Sequence, residues 1–224
     1  MSVVYPQLRR TPTPVLLWRL DRPLLAIASA PLGGGIGTRA WVLNATVPAS
    51  YDRDDPEVHL GEIAAGLDLA GPGVGLLTAL DVSQYRTAED GGVRVCATVG
   101  LGAPAWPAAP DGDGGARWPG TVNVVALVPA PLSAAALVNA VATVAEAKAQ
   151  ALWELGVPGT GTATDATCVL CGADPAATGL PEPYGGPRSR WGARLARAVH
   201  AAVRDGATGW LNHSDRGPAY RRLT

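Results

Sequence analysis

The stretch Gly120-Thr-Val-Asn-Val-Val-Ala-Leu-Val128 is typical of a buried β-strand, and an alanine-rich segment follows it from Pro131 to about Gly156. A polar turn, Gly159-Thr-Gly-Thr-Ala-Thr-Asp165, then leads directly into a second strand-like run, Ala166-Thr-Cys-Val-Leu-Cys171. This order predicts a strand, a helix, a glycine-rich turn and a second strand. We expect the rest of the chain to be organised around this unit.

The alanine-rich segment is predicted to be helical because its apolar residues share one face at about 100° per residue. That face holds Leu137, Val138, Val141, Val144, Ala145, Leu152 and Leu155. The opposite face holds Asn139, Thr143, Glu146 and Gln150. Lys148 is the exception, because it falls inside the apolar arc. Either its stem covers apolar surface while the ammonium reaches water, or the cation belongs to a site near the turn at 159–165.

Length and composition indicate one globular domain over residues 1–224, with two smaller domains as the alternative. The chain is 47% hydrophobic and 17% charged, and its formal net charge of −1 gives no electrostatic footprint for nucleic acid. No apolar run reaches the ~18–20 residues that a membrane span needs. The N-terminus lacks the basic start and apolar stretch of a signal peptide, so the cytoplasm is the expected location.

The fold class expected from this pattern is α/β (α+β), with a mixed β-sheet packed by helices in one domain. A four-layer αββα arrangement with two central sheets is the alternative. Further elements are expected as strands at 39–47, 74–78 and 93–99, a hairpin of the runs 15–20 and 24–30, a loop at 86–92, and helices at 62–69 and about 189–204. Residues 1–14 are expected to form an N-terminal arm and 206–224 an irregular tail.

The segment Pro31-Leu-Gly-Gly-Gly-Ile-Gly37 is a second point of interest. Stacked glycines at Gly33, Gly34 and Gly35 let a ligand approach the backbone closely, and successive amide groups can cup an anion. The spacing is not a dinucleotide-binding fingerprint. A simple bulged turn is the alternative interpretation.

Metal and redox sites are less well indicated. Cys168 and Cys171 have the two-residue gap of a redox or zinc motif, but residues three apart on a strand point to opposite faces. We therefore interpret both as buried structural cysteines. An acidic loop at 51–57 with His59 at its far end could ligate a divalent metal, but a solvated loop is the preferred interpretation, and no metal is expected.

Familiar catalytic motifs are missing from the sequence. It contains no G-x-S-x-G elbow, no Walker loop and no H-E-x-x-H. The three histidines, His59, His200 and His213, lie in no context that favours a Ser-His-Asp arrangement. Any hydrolytic mechanism would therefore use carboxylates, lysine, threonine or bound water. The residues alone predict a polar site near 120–165 whose reaction they do not define.

A series of short motifs runs in order through residues 24–205. They are Ser29-Ala-Pro-Leu-Gly-Gly-Gly35, Leu43-Asn44, Tyr51, Asp55-Pro56, Val74-Gly-Leu-Leu-Thr78, Ala97-Thr-Val-Gly-Leu101, Gly120-Thr-Val-Asn123, Glu146-Ala-Lys148, Gly159-Thr-Gly-Thr-Ala-Thr-Asp165 and Tyr184-Gly-Gly186. Together they resemble the adenosylcobinamide amidohydrolase family of corrinoid salvage enzymes. The turn at 159–165 departs from the tighter Gly-Thr-x-Thr-Asp pattern expected of that family, which leaves open which threonine has which role.

The resemblance implies hydrolysis of the amide that joins the aminopropanol arm to the corrin ring of adenosylcobinamide. Cobyric acid would be the product and would return to cobalamin synthesis. The corrinoid would be a small-molecule substrate and not a cofactor, and neither nucleic acid nor membrane is implied as a partner. A homo-oligomer is left open. Trp106 or Trp118 could lie against the macrocycle, with ordinary packing as the alternative.

Amide hydrolysis needs an activated nucleophile, donors for the developing oxyanion and an acid for the departing amine. We hypothesise that Asp165 or Glu146 activates water or a threonine hydroxyl. Lys148 would stabilise the anion or protonate the amine, with a lowered pKa if it is buried. Each residue also has a structural interpretation: Glu146 as a solvated side chain, Asp165 as a turn cap.

Substrate contacts are hypothesised for the residues Gly33, Gly34, Gly35, Asn44, Asn123, Gly159, Thr160, Gly161, Thr162 and Thr164. Within this set, the backbone amides of 159–162 or the side chains of Asn123 and Asn44 would supply the oxyanion donors; Asn44 could instead tie a strand to a loop. Two rival functions remain. One is a corrinoid carrier or sensor without catalysis, and the other is a hydrolase of another small amide that uses a threonine nucleophile.

Overall fold

The computed structural model describes residues 5–110, 120–172 and 180–212. Its strands are β1 Gln7–Arg9, β2 Val15–Ala28, β3 Gly35–Thr46, β4 Gly73–Thr78, β5 Arg86–Asp90, β6 Val93–Val99, β7 Pro104–Ala105, β8 Val122–Val128, β9 Gly161–Thr162 and β10 Ala166–Cys171. Its helices are α1 Pro56–Gly66, α2 Ala134–Glu154 and α3 Arg190–Asn212. None of the described helices has the length and apolar character needed to cross a membrane.

The described residues form one eight-stranded mixed sheet in the order β4-β3-β2-β10-β8-β6-β5, with β1 paired to β2 beside this path. Strands β8 and β10 are parallel, as are β3 and β4, whereas the other neighbours are antiparallel. Parallel neighbours need a crossover connection, and α2 supplies it between β8 and β10. The predicted unit of strand, helix, turn and strand is confirmed, and so is the mixed sheet packed by helices.

Long strands β2 and β3 carry the sheet back over itself. Their pairing register shifts between Arg19 and Leu24, the kind of irregularity that bends a strand. One core cluster then joins both halves of the sheet, with Leu16 and Leu76 packed in the same cluster as Val125. The outer face of one half packs on α1 and that of the other on α2 and α3. The layers therefore follow the four-layer order, but one continuous sheet supplies both central layers.

Helix α2 begins after Ser133, whose side chain accepts a hydrogen bond from the Ala136 amide at 3.1 Å. Its predicted apolar face is only partly right. Val138 is 59% exposed, whereas Thr143 is 1% exposed. The Thr143 hydroxyl donates a hydrogen bond to the Gly185 carbonyl at 2.9 Å. This bond offsets the cost of burying a polar group.

Several sequence predictions about other elements were wrong. Residues 15–28 form one bent strand and not a hairpin, residues 86–90 form a strand, and α1 begins at Pro56. Helix α3 continues to Asn212, so residues 206–212 are helical and not an irregular tail. A glycine is needed at position 206 inside α3 because the helix packs closely on β6 there. A Cβ would come within 2.6 Å of Val99 Cγ2. Residues 111–119, including Trp118, and 213–224, including His213, lie outside the described residues.

Candidate functional site

The starts of β8 and β10 bring the polar turn at 159–165 next to the motif at 120–123. In the parallel register Asn123 pairs with Ala166, so the residues just before each strand lie side by side. Thr121 Oγ1 and Thr164 Oγ1 are 2.7 Å apart, within hydrogen-bond distance. The site is therefore built at one end of the sheet from two segments 43 residues apart in sequence.

Asp165 closes the turn that leads into β10. Its Oδ1 accepts from the Val122 amide at 2.8 Å and lies 2.5 Å from the Thr162 hydroxyl. Its Oδ2 accepts from the Thr162 amide at 3.0 Å and from the Lys148 ammonium. A carboxylate has about four acceptor positions, so these donors fill Asp165. The side chain is 12% exposed.

Lys148 reaches Asp165 from α2 as an ion pair. Its side chain is only 16% exposed, so the ammonium is held at the turn and does not extend into open water. Gly161 makes room for this pair, because a Cβ there would lie 2.1 Å from Asp165 Oδ2 and 2.5 Å from Lys148 Nζ. An ammonium has three hydrogens, and the bond to Asp165 uses one of them.

The Gly120 carbonyl lies within hydrogen-bond distance of two threonine hydroxyls in the turn, those of Thr162 and Thr164. It lies 2.8 Å from Thr162 Oγ1 and 3.2 Å from Thr164 Oγ1. Thr162 has a single hydroxyl hydrogen, so it can donate either to this carbonyl or to Asp165. The Gly120 carbonyl therefore lies between the hydroxyls of Thr162 and Thr164.

An amide network crosses between the two layers of the folded sheet. Asn123 Nδ2 donates to Asn44 Oδ1 at 3.0 Å and to the Leu77 carbonyl at 2.8 Å. Asn44 Nδ2 donates to Thr98 Oγ1 at 3.0 Å. Both amide hydrogens of Asn123 are thus in use, and this geometry leaves none for its hypothesised oxyanion role. Asn123 Oδ1, in contrast, has no hydrogen-bond partner among the described residues.

A cavity of about 280 Å³ opens at this network. Its lining includes Thr121, Asn123 and Thr164, together with Tyr51 and Leu77. The ion pair of Lys148 and Asp165 is not part of the cavity lining. It lies beyond Thr164, at the adjoining turn.

Tyr51 lines the cavity and contacts His59. Sequence reasoning did not predict this contact or the place of Tyr51 at the cavity. The Tyr51 hydroxyl is 3.1 Å from His59 Nδ1, and the two rings stack with centroids 5.5 Å apart. Burial raises the pKa of the Tyr51 phenol.

The acidic loop at 51–57 is neutralised in part by Arg53, which forms ion pairs with Asp55 and Glu62. Within the described ranges, no group of three or more His, Cys, Asp or Glu side chains is arranged to hold a metal ion.

The backbone amides of the turn are largely committed to the fold. Gly159 N donates to Val157 O, Thr160 N to Ala105 O, and Thr162 N to Asp165. Three of the four amides proposed as oxyanion donors are therefore occupied. Gly159 itself is needed for packing, since a Cβ there would lie 2.7 Å from Ala105 N.

Gly33 and Gly34 lie in the turn between β2 and β3, and Gly35 begins β3. Gly33 has φ +72° and approaches β4 so closely that a Cβ would lie 1.9 Å from Gly73 O. Its carbonyl accepts from the Arg39 guanidinium at 2.9 Å. Backbone packing thus explains Gly33, and Pro31 from the same segment lines the cavity.

Glu146 is not brought to the ion pair. Its side chain is exposed on α2 and forms no hydrogen bond or ion pair within the described part of the chain. Residues two positions apart on a helix differ by about 200° in direction. Glu146 and Lys148 therefore point to different sides of α2.

An exposed aromatic pair adjoins the turn. Trp106 follows β7, whose Ala105 pairs with Gly161 in β9. Its ring meets that of Trp153 edge-on, with centroids 6.3 Å apart. Trp106 is 44% exposed and Trp153 68% exposed. Sequence reasoning named Trp106 but missed Trp153, which falls outside the apolar arc of α2.

The prediction of buried structural cysteines is confirmed. Cys96, Cys168 and Cys171 are free and buried. Burial raises the pKa of the Cys96 and Cys168 thiols to about 12. These thiols are therefore protonated at neutral pH, a form of cysteine that is a poor nucleophile.

Comparisons with known proteins agree with the motif resemblance. A family model described as adenosylcobinamide amidohydrolase matches residues 4–215. An adenosylcobinamide amidohydrolase from Halobacterium salinarum is 40% identical over 167 residues, which cover 71% of this chain and 70% of that protein. Another from Methanosarcina mazei is 29% identical over 184 residues, covering 80% of this chain and 88% of that protein. A crystal structure of a protein from Pyrococcus horikoshii OT3 is weakly similar, with a TM-score of 0.46 and 13% identity over 92% of this chain and 78% of that chain. The chain belongs to the adenosylcobinamide amidohydrolase family and is an amidohydrolase.

Proposed function

We propose that this chain hydrolyses adenosylcobinamide at the amide between the aminopropanol arm and the corrin ring. The products would be aminopropanol and cobyric acid, which could return to cobalamin synthesis. Family membership and the names of the two relatives support this substrate. The observation that carries the proposal is the ion pair of Lys148 and Asp165 beside the Thr162 hydroxyl.

The cavity suits the arm of the substrate and not its ring. Sites for drug-sized ligands measure about 300–1,000 Å³, and this cavity of about 280 Å³ is smaller than that range. A short amino alcohol fits such a volume, whereas the macrocycle stays outside. The exposed pair of Trp106 and Trp153 then offers the ring an aromatic surface next to the turn.

Thr162 is the hydroxyl best placed to attack. An activated nucleophile needs a base within hydrogen-bond reach and a third group that orients the base. Thr162 Oγ1 lies 2.5 Å from Asp165 Oδ1, and Lys148 holds the other oxygen of that carboxylate. The threonine, aspartate and lysine together meet this requirement without a histidine.

The reaction proceeds in two steps, formation of a threonine ester and its hydrolysis. Thr162 Oγ bonds to the amide carbon and its proton passes to Asp165, which gives the proton to the nitrogen as the C–N bond breaks. Water then hydrolyses the ester, releasing the carboxylic acid and restoring the Thr162 hydroxyl. Lys148 donates a remaining ammonium hydrogen to the oxyanion in both steps. The corrinoid enters this scheme as substrate.

A water molecule held by the hydroxyls of Thr121 and Thr164 is the second candidate for the attacking group. Both hydroxyls line the cavity and lie 2.7 Å apart. Hydroxylamine separates the two routes, because it captures an ester intermediate as the corrinoid hydroxamate. Free acid without hydroxamate would favour direct attack by water.

The direct test is incubation of the purified protein with adenosylcobinamide, followed by mass analysis of the products. Release of cobyric acid and aminopropanol is the expected result. Binding of the corrinoid without cleavage would identify a carrier or sensor. Cleavage of other small amides but not of adenosylcobinamide would identify a hydrolase of different specificity.

A further inference from the structure

Asn123 Oδ1 is a buried acceptor at the cavity that has no donor among the described residues. The Asn123 residue is 2% exposed and lines the cavity. Buried polar atoms are nearly always hydrogen-bonded, so each exception calls for an explanation. A ligand that enters the cavity can provide that missing donor.

The orientation of the Asn123 amide follows from its partners. Nδ2 lies 2.8 Å from the Leu77 carbonyl, which can only accept a hydrogen. Turning the amide over would place two acceptor oxygens against each other. With Nδ2 directed to Leu77 and Asn44, Oδ1 is the atom of this side chain left for a group in the cavity.

We infer that Asn123 Oδ1 accepts a hydrogen bond from the substrate arm and selects arms that carry a donor. This inference rests on the proposed function, in which the aminopropanol arm occupies the cavity. That arm has two donors, the N–H of the amide to be cleaved and the hydroxyl of the amino alcohol. The Thr121 and Thr164 hydroxyls can both donate and accept, so they tolerate either kind of group. An amide oxygen only accepts, and a site with such a fixed acceptor rejects ligands that lack the donor.

Two substrate analogues test this role without changing the protein. An ester analogue replaces the amide nitrogen by oxygen and removes the N–H without added bulk. An n-propylamine analogue keeps the amide and removes the hydroxyl. The kcat/KM of each is compared with that of the parent amide in the wild-type chain and in variants, so that the intrinsic reactivity of the ester cancels.

Asn123→Ala removes the acceptor, and Asn123→Ser is the second variant if the first folds poorly. Asn44→Ala is the matched control, because it breaks the same network but retains Asn123 Oδ1. We expect the preference for the parent amide over one analogue to fall about 10- to 100-fold in Asn123→Ala. In Asn44→Ala the rate falls but that preference is largely kept. The analogue that responds identifies whether the N–H or the hydroxyl is bound.

Failure of the inference is distinct from failure of the proposed function. If the wild-type chain cleaves the parent amide, but neither analogue shows a preference that Asn123→Ala reduces, the acceptor role is overturned and the hydrolase stands. Equal loss of preference in Asn44→Ala and Asn123→Ala also overturns it, because a general disturbance of the network then suffices. If no corrinoid amide is cleaved, the proposed function fails and the inference fails with it.

Discussion

Lys148 donates a hydrogen bond from α2 to Asp165 at the start of β10, and this ion pair fixes the helix to the turn that enters the strand. The pair lies 17 residues apart in sequence. It is mostly buried, and Asp165 also holds two backbone amides of neighbouring segments. One carboxylate thus organises the turn and places the only charged groups of the proposed reaction.

Replacement of Lys148 by methionine keeps the aliphatic stem and removes the ammonium. Turnover should fall at least about 100-fold, because loss of one oxyanion donor has an effect of that order. The free energy of unfolding should fall by about 1–3 kcal/mol, less than for a fully isolated buried charge, since Asp165 keeps its other donors. Release of cobyric acid and urea unfolding measure the two effects.

The matched control is Gln150→Ala on the same helix, where an exposed side chain bonds Glu154 and no other described residue. It should leave both measurements nearly unchanged. Wild-type turnover in Lys148→Met would remove the lysine from the mechanism.

Gly161→Ala tests the space beside the ion pair. The new methyl group would lie within 2.5 Å of both charged partners, so the pair must separate or the turn must move. We expect turnover close to that of Lys148→Met, although no catalytic group has been removed. Gly61→Ala in α1 is the control, because among the described residues nothing beyond its own helix backbone and chain neighbours lies within 4 Å of a Cβ there. Alanine also favours a helix by about 0.5–1 kcal/mol. Full activity in Gly161→Ala would show that the pair tolerates displacement.

The nearness of Lys148 to the turn at 159–165 could be predicted from the sequence because local rules govern it, whereas its ion pair with Asp165 was not predicted. A lysine in the apolar arc of a helix is out of place unless a partner receives it, and the helix length and turn position made Asp165 a near neighbour. The strand starts also follow from parallel pairing across a helical crossover. These relations involve segments that are consecutive in the chain, so periodicity and turn residues were enough to indicate them.

The amide network could not be predicted in the same way. Asn44 meets Asn123 only because β2 and β3 bend and bring one half of the sheet over the other. Periodicity gives the face to which a side chain points but not the layer that covers it. The donor and acceptor roles of Asn123 likewise depend on Leu77, which belongs to a distant strand. The number of committed backbone amides in the turn depends on β7 for the same reason.

Thr162→Val should abolish hydrolysis, with a loss of at least about 1,000-fold in kcat, because it replaces the proposed nucleophile by an isosteric methyl group. Thr162→Ser retains a hydroxyl within reach of Asp165 and should restore measurable turnover. Hydroxylamine should give the corrinoid hydroxamate with the wild type and with Thr162→Ser. If Thr162→Val remains active while Thr164→Val does not, the attacking group is associated with the cavity and not with Asp165.

Stability should depend on alkaline pH through the buried thiols. The pKa of Cys96 and of Cys168 rises from an ordinary value of 9.0 to about 12 on burial. Above about pH 9 the unfolded chain loses these protons while the folded chain keeps them, so the free energy of unfolding decreases as pH rises toward 12. Cys168→Ala should reduce this slope in urea unfolding between pH 8 and 10. An unchanged slope would assign the alkaline loss to other groups.

Trp153→Ala removes one member of the exposed aromatic pair that we place against the corrin ring. The KM for adenosylcobinamide should rise about 3- to 10-fold with little change in kcat, because an aromatic contact of about 0.5–1.5 kcal/mol would be lost from substrate and transition state alike. Val138→Ala is the control, since Val138 is also exposed on α2, at 59%, but lies four turns closer to the start of that helix. Equal KM values for the wild type and Trp153→Ala would place the ring elsewhere. A fall in kcat with unchanged KM would instead assign Trp153 to positioning the turn through Trp106.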